Sequence, residues 1–198
     1  MIEIIEAREK QTRQFFKLLN KLMLSMWRLG LGRFMQNNQS GYIMVLITTG
    51  HKSGLRRRAP INYARDDDIV YCLPGFGART HWYRNLMADP KCEVWLPDGQ
   101  WNGVADEISD ADERLEILCR VLIRAGFATR LVEGLDPAKI SEEKLHELGE
   151  RYDKLLRIKL VSQVTEQTGP DKPGDLVWVW PVVAVVGLLL RELRRIGK

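Results

Sequence analysis

Ile47-Thr48-Thr49-Gly50-His51-Lys52-Ser53-Gly54-Leu55-Arg56-Arg57-Arg58-Ala59-Pro60-Ile61 is the stretch on which the fold turns. It reads as the end of one strand, a turn closed by two glycines, and the start of a second strand. Small residues in such a turn expose backbone N–H groups, and a lysine with three arginines beside them adds cationic donors suited to phosphate or carboxylate. A solvated hairpin tip fits the residue types equally well. The spacing is neither that of a P-loop, GxxxxGK[ST], nor that of a dinucleotide fold, GxGxxG, so those two ways of holding a nucleotide are excluded.

Outward from this turn lie further short apolar runs of strand character: YIMVLITT before it, then APINYAR, IVYCL, CEVWL and QWNGVADEI. The separators GHKSG, RDDD and LPDGQ predict a compact antiparallel sheet or small barrel. In Pro97-Asp98-Gly99 the proline presets φ and the glycine supplies φ > 0, a hairpin turn. Between IVYCL and CEVWL a short helix is expected over Thr80–Met87, stopped before Pro90. From Ser109 the periodicity turns helical. Leu115, Leu118, Cys119 and Leu122 share a face up to Gly126, and a second helix opens at Asp136-Pro137 or Ser141 and runs to about Leu160. After the loop TGPDKPGD, the 15-residue run Leu176–Leu190 is too short to span a bilayer and is rich in β-branched residues. It is read as a last strand leading into a helix, GLLLRELRRIGK. The expected layout is one domain over 1–198, with barrel strands in 40–107 and 175–187 and a helical insert over 109–172.

The chain has 198 residues, 45% of them apolar and 28% charged, the composition of an ordinary globular domain and not of a disordered, collagenous or coiled-coil chain. Cys72, Cys92 and Cys119 make an odd count without CxxC spacing, so neither a disulfide framework nor a structural zinc site is expected, which fits a reducing, cytoplasmic setting. The net charge of +4 conceals a segment, residues 10–65, with eleven Lys and Arg and no acid. Part of that excess lies in an amphipathic helix expected within 7–35. At about 100° per residue, Lys10, Lys17, Lys21 and Arg28 fall within about 20° of one another. Phe15, Leu18, Leu19, Leu22, Met26 and Leu29 form its apolar side. Such a helix either packs on the core with solvated lysines or lies on an anionic membrane surface, giving peripheral membrane contact.

ITTGHKSGLRRRAPI, LPGFGA and HWYRNLMADPKCEVWL, in this order and spacing, resemble the nitroreductase family of deazaflavin-dependent oxidoreductases. Three motifs in register are more specific than any one of them. The resemblance implies an α+β fold with a mainly β core: a split β-barrel of the flavin-reductase and pyridoxamine-phosphate-oxidase (PNPOx) kind, with an N-terminal helix and a helical insert. It implies coenzyme F420, a deazaflavin with a phosphodiester and an oligoglutamate tail, with FMN as the alternative. Lys52 and Arg57 match positions that hold that anionic tail, with His51 and Ser53 in the same turn and Arg58 beside them. Pro60, Ile61 and Asn62 match the strand along the cofactor. Leu73, Pro74, Gly75, Phe76 and Gly77 match the loop whose backbone meets the ring. Trp82, Tyr83 and Asn85 match the WYxN positions, Asn85 at the phosphate end.

The implied activity is hydride transfer to a small electrophilic organic substrate, a quinone, enone or nitro compound. The other function class is a non-catalytic split-barrel carrier or sensor for a flavin, another cofactor or a lipid-like ligand. Two lines of the family pattern change here: the glycine loop carries Pro74 and Phe76 where relatives offer a lysine, and a tyrosine-rich segment is replaced by helices whose only tyrosine is Tyr152. His81 and Tyr152 are the candidate proton donors. His51, His81 and His146 fall in different elements, so no metal set is expected. No zinc-finger, RRM or helix-turn-helix signature marks a nucleic-acid partner. The expected assembly is a monomer or a dimer.

Overall fold

The computed structural model describes residues 18–37, 41–136, 139–165 and 172–196. Seven strands are β1 (Gln36–Asn37), β2 (Gly41–Thr49), β3 (Arg56–Asp66), β4 (Ile69–Cys72), β5 (Lys91–Leu96), β6 (Gly99–Glu107) and β7 (Leu156–Gln163). The helices are α1 (18–28), α2 (His81–Ala88), α3 (Ala111–Ala125), α4 (Phe127–Glu133), α5 (Glu142–Arg151) and α6 (Val179–Ile196). All pairings are antiparallel, in the order β1-β2-β3-β4-β7-β6-β5, and β5 pairs back onto β2. β2 to β7 therefore close a six-stranded barrel, which leaves those strands without a free edge.

Alternation along the strands sorts the side chains into two sets. Met44, Leu46, Tyr63, Val70, Val94, Leu156 and Ile158 fill the barrel, and Trp82, Tyr83 and Leu86 of α2 plug into the same cluster. On the outside, Val45, Ile47 and Trp95 pack on Trp27 of α1, and Ala64 and Tyr71 pack on Ile117 and Val121 of α3. α3 and α5 join through Leu118, Leu122, Leu148 and Tyr152.

Three expectations need correction. Residues 175–187 are no strand: the chain turns through 173–178 and runs as α6 from Val179. The strand that closes the barrel is β7, inside the segment 109–172 expected to be wholly helical. Correspondingly, the helix opened at Ser141 ends at Arg151, short of Leu160. Leu156, Ile158 and Leu160 are buried and alternate with outward residues, which suits a strand between β4 and β6. With both edges taken by β7, the β-branched run at 176–186 finds no partner strand, and its propensity does not decide its structure.

α1 differs as well. The apolar side named from the sequence included Leu18 and Leu22, yet these are 70% and 57% exposed, while Met23 and Trp27 are buried. The face opposite Trp95 and Ile47 is what the barrel buries. Of the basic stripe, Lys10 and Lys17 lie outside the described residues, Lys21 is exposed, and Arg28 binds Asp175 through Nε to Oδ1 at 3.0 Å and Nη2 to Oδ2 at 2.8 Å. Within the stretch 7–35 expected to hold the helix, Leu29 already lies in the turn after α1.

Candidate active site

The β2–β3 turn is built by Gly50. Its N–H donates to the Leu55 carbonyl at 2.9 Å, and its own carbonyl accepts from Ser53 N at 3.1 Å and Gly54 N at 2.7 Å. Gly54 takes φ +65°, a left-handed conformation open to glycine. Ser53 Oγ accepts from Leu55 N and Arg57 Nη2, each at 3.4 Å. His51, Lys52, Ser53 and Arg57 stand exposed at this tip. The two flanking arginines are directed elsewhere. Arg56 donates to Glu93 Oε2 at 2.8 Å, and the Arg58 guanidinium lies 6.0 Å from the centre of the Trp95 ring. The alternation of β3 explains the split: Arg57 and Arg58 leave the strand on opposite faces.

Asn85 supports the turn from below. Buried in α2, it donates from Nδ2 to Thr48 Oγ1 at 2.9 Å, and its Oδ1 accepts from His51 N at 3.1 Å and lies 2.9 Å from His51 Nδ1. An amide oxygen only accepts, so Nδ1 carries the hydrogen and Nε2 is the imidazole atom left for a ligand. Three of the four hydrogen-bonding places on the Asn85 amide are thus occupied within the protein. Its geometry is that of a residue positioning the turn.

Farther along β3 opens a cavity of about 230 Å³ between the outer barrel wall, the β4–α2 loop and the helices α3 and α4. Pro60, Ile61 and Asn62 form one wall, Leu73, Gly75 and Phe76 another, and Trp82 closes the end. The roof is Val121, Leu122 and Ala125 of α3 with Ala128, Thr129, Val132 and Glu133 of α4. Nothing lies within 4 Å of where a Cβ on Gly75 would sit, so its backbone faces open space. Pro74 and Gly77 belong to the same loop without lining the cavity. Pro60 follows Arg57 by three residues, about 10 Å along the strand at about 3.3 Å each.

The remaining sequence candidates lie apart or are engaged. Tyr83 points into the barrel wall: its hydroxyl donates to Glu107 Oε2 at 2.5 Å, and Lys154 Nζ donates to Glu107 Oε1 at 2.9 Å. Burial and then that hydrogen bond push the Tyr83 phenol up to about 12. Burial works to raise the Glu107 carboxyl, but the hydrogen bonds from Tyr83 and Lys154 outweigh it and hold the group below its usual range. His81 is exposed at the first turn of α2 and is not among the cavity's lining residues. Tyr152 does line it, with its hydroxyl donated to Glu133 Oε1; burial and that bond raise its phenol.

Four polar lining residues were not singled out from the sequence: Asn20, Thr80, Thr129 and Glu133. Thr80 was read only as a helix start, yet its Oγ1 is buried with no hydrogen-bond partner. Thr129 and Glu133 sit one turn apart on α4, and that i, i+4 spacing of polar residues was the available signal.

The six-stranded barrel, with a helix-roofed cleft on its wall and a cationic turn on the same strand, is the split-barrel architecture that the resemblance implied. A model of the F420H(2)-dependent quinone reductase family matches residues 23–128, more than half of the chain, and the chain belongs to that family. It is an oxidoreductase, as the motifs implied. Among solved structures, an F420-H2 dependent reductase is 21% identical, over 59% of this chain and 93% of its own, with a TM-score of 0.38. A conserved hypothetical protein from Mycobacterium tuberculosis is 14% identical, over 72% of this chain and 92% of its own, with a TM-score of 0.44. The heme storage protein HutZ from Vibrio cholerae is 13% identical, over 66% and 86%, with a TM-score of 0.41. No curated protein matches the chain.

Proposed function

We propose that the chain reduces a small electrophilic organic acceptor, a quinone foremost, with reduced coenzyme F420. The observation that carries this reading is the pairing on β3 of an exposed cationic turn with an apolar cavity about 10 Å farther along the strand. A ligand that is flat at one end and polyanionic at the other suits that arrangement. The residues present fit it: Lys52, Arg57 and the backbone of the Gly50 turn meet the anionic tail, while the Gly75 backbone and the unpartnered Thr80 hydroxyl meet the ring. Reduced F420, when bound, supplies a hydride. The chain orients the two reactants, excludes water with the α3–α4 roof, and admits from solvent the proton that completes a hydroquinone. Titration with oxidised F420, followed by tryptophan quenching, tests the assignment. Lys52→Ala with Arg57→Ala is expected to weaken Kd at least tenfold while reduced FMN supports little turnover. Unchanged affinity in the double variant sinks the tail assignment, and yellow protein isolated without added coenzyme favours FMN.

The acceptor on this reading is lipophilic and met at an anionic membrane surface. In support, Val177, Trp178, Trp180, Val182, Val183, Val185 and Val186 are 44 to 63% exposed. Beyond them the sequence continues with Arg191, Arg194, Arg195 and Lys198 against one acid, Glu192. Leu18, Leu22 and Phe34 add exposed apolar area near α1. No helix among the described residues is long and apolar enough to cross a membrane, and the contact proposed is a peripheral one. Co-sedimentation with phosphatidylglycerol vesicles is expected and is lost in Trp178→Lys with Val182→Lys. Equal binding to neutral vesicles overturns the electrostatic part.

A further inference from the structure

Thr80 keeps an unclaimed hydroxyl hydrogen at the cavity wall, but the polar groups on β3 and around Glu133 have already committed hydrogens within the protein. Thr129 spends its hydroxyl hydrogen on the Leu122 carbonyl at 2.8 Å, Asn62 gives an amide hydrogen to the Tyr42 carbonyl at 3.3 Å, and Tyr152 gives its hydrogen to Glu133. What these groups keep for a ligand is mostly acceptor capacity. The strongest acceptor is Glu133, a carboxylate whose side chain is only 5% exposed at the edge of a largely apolar cavity. A carboxylate so placed is costly unless it is paired. Its cation is Arg151, whose Nη1 lies 2.7 Å from Oε2 and whose own side chain is 53% exposed. Compensation therefore comes from the solvent side. Tyr152 and Arg151 each occupy one lone pair, one per oxygen, and each oxygen keeps another.

We propose that Glu133 is the specificity-determining residue of the cavity: it accepts a hydrogen bond from a hydroxyl or N–H group of the acceptor substrate and turns away acceptors that carry negative charge. The inference rests on the quinone-reductase reading and deepens it. Glu133 lies beyond residues 23–128, the part of the chain matched by the family model. Tyr152 acts here as a positioning residue. Its hydrogen is held by Glu133, and burial together with that bond make it a weaker acid than an ordinary phenol, so it aligns the carboxylate and does not supply the proton.

Three naphthoquinones of similar size separate the terms: 2-amino-1,4-naphthoquinone, a neutral N–H donor; 2-methyl-1,4-naphthoquinone, neutral without a donor; and 1,4-naphthoquinone-2-sulfonate, an anion. Equilibrium binding is read by tryptophan quenching, and kcat/KM with reduced F420. In the wild type the amino compound is expected to bind about tenfold tighter than the methyl compound, and the sulfonate at least tenfold weaker. Glu133→Gln keeps the shape and an acceptor oxygen, so exclusion of the sulfonate drops at least fivefold while the methyl compound is unaffected. Glu133→Leu also loses the preference for the amino compound. Arg151→Ala leaves the carboxylate uncompensated and sharpens exclusion, a change opposite in sign that loosened packing does not produce. Unchanged ratios in Glu133→Gln, with all three quinones still bound, overturn the inference and leave the quinone-reductase reading standing. Failure of the wild type to bind any of the three overturns both.

Discussion

The Asn85 amide joins three elements: α2, which carries it, the end of β2 through Thr48, and the β2–β3 turn through His51. Removing it leaves a buried hydroxyl and a backbone N–H without partners, at a cost of about 1–3 kcal/mol. Asn85→Ala is therefore expected to lower the melting temperature and also weaken F420, because the turn loses its support. Asn85→Asp keeps the acceptor but places negative charge under the turn, so coenzyme affinity falls further than stability; thermal melts beside coenzyme titrations separate the two. Glu107 makes a pH prediction. Its carboxyl is held below the ordinary value of 4.5, so its stabilising share is complete above that pH and is lost as pH falls through the lower native value. Urea midpoints between pH 7 and pH 3 are expected to fall less steeply in Glu107→Gln than in the wild type. At this scale the sequence reveals residue types well and commitments badly: WYRN marks Tyr83 and Asn85, but only the packed structure shows both bonded internally.

At the scale of elements, the β6–β7 seam is closely packed at Gly103. A Cβ on Gly103 would come within 2.6 Å of Ile158 Cγ2 and 3.2 Å of the Lys159 carbonyl, beside the register shift at Asn102 and Gly103. Gly103→Ala is expected to destabilise by about 1–3 kcal/mol, read as a lower urea midpoint with F420 affinity retained per folded molecule. The thiols report on the same core. Burial pushes Cys92 up to about 12 and raises Cys72 further, whereas Cys119 is partly exposed on α3. A thiol reagent at pH 8 is expected to modify at most Cys119 in the native protein and all three after unfolding. Strands β2 to β6 were legible because each is a short apolar run bounded by a turn with its own chemistry, such as Pro97-Asp98-Gly99. β7 follows a helix without such punctuation, and its alternation of Leu156, Ile158 and Leu160 also fits a helical continuation over so few residues.

Across the whole molecule, closure depends on a strand about 50 residues from its neighbour β6 in the chain. A chain ending at residue 154 leaves β4 and β6 as open edges and is expected not to fold cooperatively, as seen by the loss of a two-state urea transition. A chain ending at residue 178 keeps every barrel pairing and the contacts of Gly174 and Leu176 with α1. It is expected to melt close to the full chain and to lose vesicle binding. That contrast separates a helix that stabilises the barrel from one that serves a surface.

Taken alone, the amino-acid sequence determined what is written locally: the glycine turn with its lysine and arginine, the five strands before Ser109, the short helix over Thr80–Met87, and membership of a deazaflavin-using family through three motifs in register. The tertiary structure decided which segment closes the barrel, which face of α1 is buried, and that Glu133 and Tyr152 meet at the cavity wall. The reason is physical. Turn chemistry and residue propensity act within a few residues, whereas strand edges, core faces and the burial of a carboxylate are settled by competition among segments far apart in the chain.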